Sequence, residues 1–267
     1  MQAALCTIGD ELLAGDTENT NATWIAARLT ARGVSTRRIL VIPDEVDLIA
    51  RKVREYAEKF DAVIVTGGLG GTHDDVTMDG VAAAFDLELE IDELARADVA
   101  ETLAEVRERL PNLDLDVDAH ASIPAGGRAL LNDEGLAPGC VVENVYVLPG
   151  IPREMEPMFE SVVEEFSGAA RSRVVYTTTP EGQYTSDLMD ARDRFSVAIG
   201  SYPGRSDGER RNRIKLVGED EAVLKEAAAW IEARVEPYQA DGDDDDGGRD
   251  GGEEAGAGEA DGKEADS

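Results

Sequence analysis

Between residues 3 and 85 the chain repeats one unit, a short apolar run followed by a segment with helical spacing. Residues 3–8 are apolar and stop at Gly9, as a buried strand does. Residues 21–32 carry Trp24, Ile25 and Leu29 at helical spacing, and Gly33 ends that segment. Residues 34–42 predict a second strand and 45–60 an amphipathic helix with Val46, Ile49, Val53 and Tyr56 on one face. A third strand over 62–65 and a helix over 76–85 follow. Consecutive parallel strands need a crossover of helical length, so this alternation restricts the fold class to α/β, a mostly parallel sheet sandwiched by helices.

The pattern then loosens. Residues 87–91 predict an edge strand and 93–110 a long helix closed by Pro111, while 119–139 read as irregular and rich in Gly, Pro and Ala. Residues 140–148 predict a hairpin turning at Glu143 and Asn144. Strands over 174–179, 196–202 and 212–217, with helices over 185–193 and 221–235, give the order βαββα of a small α+β domain. The expected organisation is a first domain over 1–170, a small α+β domain over 171–238 and an acidic tail over 239–267.

Charge narrows the function. The chain has 57 acidic and 26 basic residues, a net charge of -31. From Asp241 to Ser267 there are 12 acidic side chains against Arg249 and Lys263, in a Gly-rich run without aromatics. Such a run cannot bury apolar surface and is expected to be disordered. Without it the chain still has 45 acidic and 24 basic residues, only four of them Lys. A carboxylate-dense, Lys-poor surface suits high salt, where screening cancels self-repulsion, so a halophilic source is expected. The same charge argues against nucleic acid and anionic membranes as partners, unless a basic patch is concentrated somewhere. Arg205 with Arg210, Arg211 and Arg213 is the one candidate. No stretch approaches 18 apolar residues and the N-terminus lacks a basic start, so a cytoplasmic protein is expected. Cys6 and Cys140 lack metal-type spacing and are expected as buried thiols.

Three loops fall where open α/β sheets place their ligands, beyond the carboxyl ends of strands: GDELLAGDTENTN, TGGLGGTHDD and LPGIPRE. Gly67, Gly68, Gly70 and Gly71 allow close backbone approach, and a helix starting near Asp75 would direct its positive end at an anion. The loop lacks the GK[ST] of a P-loop and the spacing of a Rossmann fingerprint, so a mobile turn is the alternative. Adjacent Asp74 and Asp75 would repel a phosphate unless a cation intervenes, and magnesium typically bridges one or two carboxylates to phosphate oxygens. Asp74 and Asp75 are therefore candidate ligands of a divalent metal, with Asp44, Asp10 and Glu11 as possible additions. Asp75 could equally cap the helix. Asn19 and Asn21 suit a ribose or ring edge, although Asn19 or Thr20 could cap the next helix. Asp16 and Glu18 fit solvated surface, His73 shares the loop as a candidate acid or base, and His120 has no partner in sequence.

GDELLAGDTENTNATWIAARL, the PDE at residues 43–45, TGGLGGTHDDVT and LPGIPREMEPMF occur in an order that resembles the molybdopterin-binding superfamily of MoaB and Mog proteins. They resemble more closely the N-terminal domain of the CinA competence/damage-inducible family. That likeness spans 5–159, and the small second domain is similar to the arm that follows the core in CinA-like proteins. The C-terminal amidohydrolase domain of full-length CinA is expected to be absent. The resemblance implies that Asp75 and Asp44 are the functional aspartates, that Gly67, Gly68, Gly70 and Thr72 cradle phosphate, that Asn21 belongs to the ligand wall, and that Gly150 and Pro152 shape the opposite wall. It also implies a homo-oligomer. The CinA pattern usually reads GGLGPT, whereas Gly71 stands here in place of the proline. The function expected is metal-dependent cleavage of ADP-ribose or a related nucleotide, with magnesium as the expected metal. Binding or adenylylation of a pterin phosphate, molybdopterin, is the alternative enzyme reading, and a regulatory ligand-binding module is the third.

Overall fold

A computed structural model describes residues 1–72, 75–206 and 209–238. His73, Asp74 and the acidic run from 239 onward lie outside the described residues. The first part of the chain runs β1 (Gln2–Ile8), α1 (Asp10–Ala14), α2 (Thr20–Ala31), β2 (Ser35–Ile42), α3 (Val46–Ala57), β3 (Ala62–Thr66), α4 (Thr77–Ala84) and β4 (Leu89–Ile91). It continues with α5 (Glu93–Arg109), α6 (Val117–His120), β5 (Ser122–Pro124), β6 (Arg128–Leu130), β7 (Gly139–Val142), β8 (Val145–Leu148) and α7 (Pro152–Val162).

Six strands form one sheet in the order β2-β1-β3-β8-β7-β6. β1 runs parallel to β2 and β3, and β3 parallel to β8, while β7 is antiparallel to both its neighbours. The central strands read as unbroken apolar runs because both their faces are covered. Leu5 and Ile64 pack on one side with Leu29 of α2 and Phe159 of α7. Ala4, Cys6, Val63 and Val65 pack on the other with Ile49 and Val53 of α3 and Val81 of α4. The mostly parallel α/β sandwich expected from the alternation is the fold.

Some expectations change. The stretch over 119–139 is not irregular throughout, since it holds the end of α6 and strands β5 and β6. The edge strand β4 does not join the main sheet but pairs with β5 alone. The first loop contains the short helix α1. The hairpin β7–β8 forms as expected, with Glu143 at φ 51° in its turn. Cys6 and Cys140 are free and buried, and burial pushes both thiols up to about 12.

The second part runs β9 (Arg171–Thr177), α8 (Glu181–Phe195), β10 (Ala198–Tyr202), β11 (Arg205–Ser206), β12 (Glu209–Arg210), β13 (Asn212–Gly218) and α9 (Glu221–Glu232). The sheet β10-β13-β9 is antiparallel. Val175, Ile214 and Leu216 turn one of its faces onto Tyr184 of α8 and Leu224 and Ile231 of α9, giving this part its own core.

Candidate functional site

The loops after β1, β3 and β8 meet beyond the carboxyl ends of these parallel strands and line one cleft of about 490 Å³. Gly67 has φ 99° and Gly68 φ 63°, the left-handed region that disfavours side chains. A Cβ on Gly67 would collide with the carbonyl oxygen of Ile8, and one on Gly68 with Thr77 Oγ1. Two hydrogen bonds hold the loop against the start of α4: Thr77 Oγ1 donates to the Gly67 carbonyl at 2.8 Å, and the Thr77 N–H to that of Gly68 at 3.2 Å. The N–H groups of Gly68, Leu69 and Gly70 donate to no acceptor among the described residues.

Asp44 and Asp75 flank this loop. Asp44 Oδ1 lies 3.0 Å from where a Cβ of Gly68 would stand, and Asp75 Oδ2 lies 2.5 Å from that of Gly70. The Asp10 N–H donates to Asp44 Oδ2 at 3.1 Å. Burial pushes the Asp44 carboxyl above the usual range; the Asp10 N–H opposes that shift, and the charges of Asp10, Glu11 and Asp75 add to it. Asp75 does not cap α4, whose N-cap position is Val76 without a side-chain bond. Its carboxylate instead accepts from the Thr72 N–H at 2.9 Å and from Thr72 Oγ1 at 2.5 Å. Those donors of Thr72 are therefore directed at Asp75, and Thr72 lies outside the lining of the main cleft. Among the described residues no three His, Cys, Asp or Glu side chains converge as a metal cage. Asp44 and Asp75 are the described carboxylates that stand against the glycines of the loop, at Gly68 and Gly70. Asp74, the other candidate, lies outside the described residues.

The opposite wall comes from Gly150 and Pro152, both lining the cleft. Asn21 Nδ2 donates to the Gly150 carbonyl at 2.7 Å, which ties the first loop to the last. Asn21 Oδ1 is buried and accepts no hydrogen bond among the described residues, an unmet acceptor that a ligand donor would satisfy. Asn19 Oδ1 accepts from the Ala22 N–H at 3.1 Å, so Asn19 is the cap of α2.

Sequence reasoning passed over two residues. Glu154 is 6% exposed, lines the cleft and accepts from Asn132 Nδ2 at 3.0 Å. Its place one turn before Met158, on the buried stripe of α7, was the readable signal. His120 lines a second cavity of about 430 Å³ that shares Gly68, Leu69, Gly70 and Asp75 with the first. A Cβ on Gly71 would stand 2.6 Å from His120 Cε1, so the bare glycine makes room for the ring. Burial holds this imidazole below the ordinary histidine pKa, against the pull of its Asp116 backbone bond and the charges of Asp75 and Asp116. The first-turn residues Met78 and Asp79 of α4 also line this second cavity rather than the main cleft.

Comparison with known proteins places these features. Residues 169–242 match the family described as FAD synthase, middle domain. A protein of Archaeoglobus fulgidus is 38% identical over 237 residues, covering 87% of this chain and 97% of that protein. One of Pyrococcus horikoshii is 37% identical over 251 residues, covering 87% and 95%. The solved structure of the protein CinA, of unknown function, from Thermoplasma acidophilum is similar with a TM-score of 0.55 and 36% identity, over 62% of this chain and 97% of that one. Residues 4–168, which carry all three cleft loops, match the family described as probable molybdopterin binding domain, and the chain belongs to that family.

Proposed function

We propose that the cleft binds a nucleotide diphosphate together with a divalent metal and hydrolyses its pyrophosphate bond, with ADP-ribose or a related nucleotide as substrate. One observation carries this reading: the described lining of the cleft has five carboxylates, from Glu11, Glu18, Asp44, Asp75 and Glu154, and no Lys or Arg. A glycine loop with unbonded N–H groups suits phosphate oxygens, yet the surrounding charge repels them. A cation between carboxylate and phosphate removes the conflict, and magnesium, the metal we propose, commonly binds through one or two carboxylates plus substrate phosphates. The raised Asp44 carboxyl fits such an ion, because burial and three neighbouring negative charges all disfavour its bare charge.

The bound ion would supply neutralisation of the diphosphate and activation of water. The chain's own residues do the rest. Asp44 and Asp75 hold the charge balance at the loop, and Thr72 orients Asp75 through two hydrogen bonds. The N–H groups of Gly68, Leu69 and Gly70 are free to meet oxygens that gain charge as the bond breaks. Asn21 offers its unmet acceptor to a hydroxyl or ring N–H, and the second cavity leaves room for the other half of the substrate.

The family description names a second ligand for the same cleft, molybdopterin, and its binding or adenylylation through the same loop is our second reading. AMP formation from ADP-ribose with magnesium, followed by chromatography, tests the first reading, and thermal shift with molybdopterin plus ATP tests the second. Asp75→Asn should lower AMP formation by about 100-fold or more. An unchanged rate in that variant would sink the proposed chemistry, and a ligand that stabilises the chain without being consumed would leave a binding module.

A further inference from the structure

The cleft leaves unused the one basic cluster of the sequence. Residues 1–170 hold 13 basic and 33 acidic side chains, whereas 171–238 hold 11 and 12. Within the small domain the cations are gathered further, into Arg205, Arg210, Arg211, Arg213 and Lys215. Among the described residues none of these five has a carboxylate partner. Arg28, Arg32, Arg54, Arg96, Arg128 and Arg173, by contrast, each meet a carboxylate within 3.0 Å.

The sheet explains where this charge is displayed. Ile214 and Leu216 of β13 point to the helix-covered face, so Arg213 and Lys215 lie on the other. The pairing register sets Tyr202, Arg213 and Tyr176 side by side across β10, β13 and β9, with Gly200, Lys215 and Val174 in the next row. Tyr238 packs edge-on against Tyr176 at 5.4 Å, and the Arg211 guanidinium sits 4.7 Å over the Tyr238 ring. The Arg213 guanidinium lies 5.6 Å from the Tyr202 ring. A Cβ on Gly200 would come within 2.9 Å of that ring, so Tyr202 lies down on the sheet. Tyr202 is 48% exposed and Val174 37%.

We infer that this open face binds single-stranded nucleic acid, the tyrosine rings stacking with bases while Arg211, Arg213 and Lys215 meet phosphates. An acidic polypeptide would satisfy the guanidiniums but makes no use of a row of rings. Bases have a π-face that stacks on such a platform whatever their sequence, and the cations beside it follow the backbone. Whole-chain charge of -31 opposes a polyanion everywhere else, which confines contact to this face. The inference stands apart from the proposed chemistry of the cleft.

Fluorescence anisotropy with labelled 12-nucleotide U and dT strands, and with a duplex of equal length, tests it on the full chain at about 50 and about 200 mM salt. The expected result is saturable binding of at least one single strand, tighter than of duplex and weaker at the higher salt. Tyr202→Ala and Arg213→Ala should each weaken it by about tenfold, and Tyr202→Phe should retain it. No saturable binding of either strand at the lower salt overturns the inference. So does binding indifferent to Tyr202→Ala, or polyglutamate binding as tightly as the oligonucleotides, which would make the face a dock for acidic polypeptide.

Discussion

The cleft in the first part of the chain and the open sheet face in the second are opposites in both charge and construction. The described cleft lining has five carboxylates and no cation; the face carries Arg211, Arg213 and Lys215, which have no carboxylate partner among the described residues. The cleft is shaped by backbone, where loops from three strands touch and glycines are required by close approach. The face is shaped by register, which sets Tyr202, Arg213 and Tyr176 side by side on the side of the sheet away from the helices. Neither region balances its own charge, so each is built for a counter-charge from outside. Substitutions of the close-approach glycines should therefore cost stability in the cleft, whereas side-chain substitutions on the face should leave it intact.

Gly67→Ala should give the largest effect. The residue combines φ 99° with a Cβ position that meets the Ile8 carbonyl oxygen, and neither β1 nor β3 can move without breaking the parallel ladder between them. A loss of about 3 kcal/mol is expected, from a strained conformation plus a backbone clash. This corresponds to a fall in Tm of about 6–12 °C. Gly126→Ala is the internal control: its φ of 77° is also positive, but nothing lies within 4 Å of the new Cβ. About 1 kcal/mol is expected there. Equal losses in thermal denaturation would mean that the cleft loop is no more constrained than an ordinary turn.

The cleft was legible in sequence because its construction is local. Apolar runs that end in glycine announce buried parallel strands, and the three loops that follow them meet as the topology requires. Asp44, Asp75, Asn21, Gly150 and Pro152 all line that cleft. Contacts between distant segments were not legible. His120 enters through the missing side chain of Gly71, 49 positions away, and neither residue alone signals the other. Thr72 bonds Asp75 within one turn, whereas the resemblance implied that it cradles phosphate. Strand β5 took its partner from β4 rather than from the main sheet, a choice made by packing and not by propensity. The basic residues of the face were visible as a cluster, but their alignment with three tyrosines depends on the register of β13.

Asp44→Asn should have the next largest effect, and of opposite sign. Burial and the charges of Asp10, Glu11 and Asp75 disfavour the ionised carboxyl, whereas a neutral amide of the same shape still accepts from the Asp10 N–H. The metal-free chain should therefore become more stable at neutral pH, with Tm higher by about 2 °C. The same variant should lose the additional stabilisation that a nucleotide gives in the presence of magnesium. A Tm that falls would mean that Asp44 serves the fold rather than a ligand.

Arg213→Gln should change stability least. The side chain is exposed, has no carboxylate partner among the described residues and makes only a 5.6 Å approach to the Tyr202 ring. Contacts of this kind in solvent contribute about 0.5 kcal/mol, so Tm should stay within about 2 °C. Arg173, on the opposite face of the same sheet, pairs with Glu221 at 2.9 Å, and Arg173→Gln should cost up to about 1 kcal/mol. If Arg213→Gln proves the more damaging of the two in thermal denaturation, the row of rings and guanidiniums is holding the sheet together. If it is silent in stability, Arg213 has no structural role among the described residues, and a ligand of the face is what accounts for it.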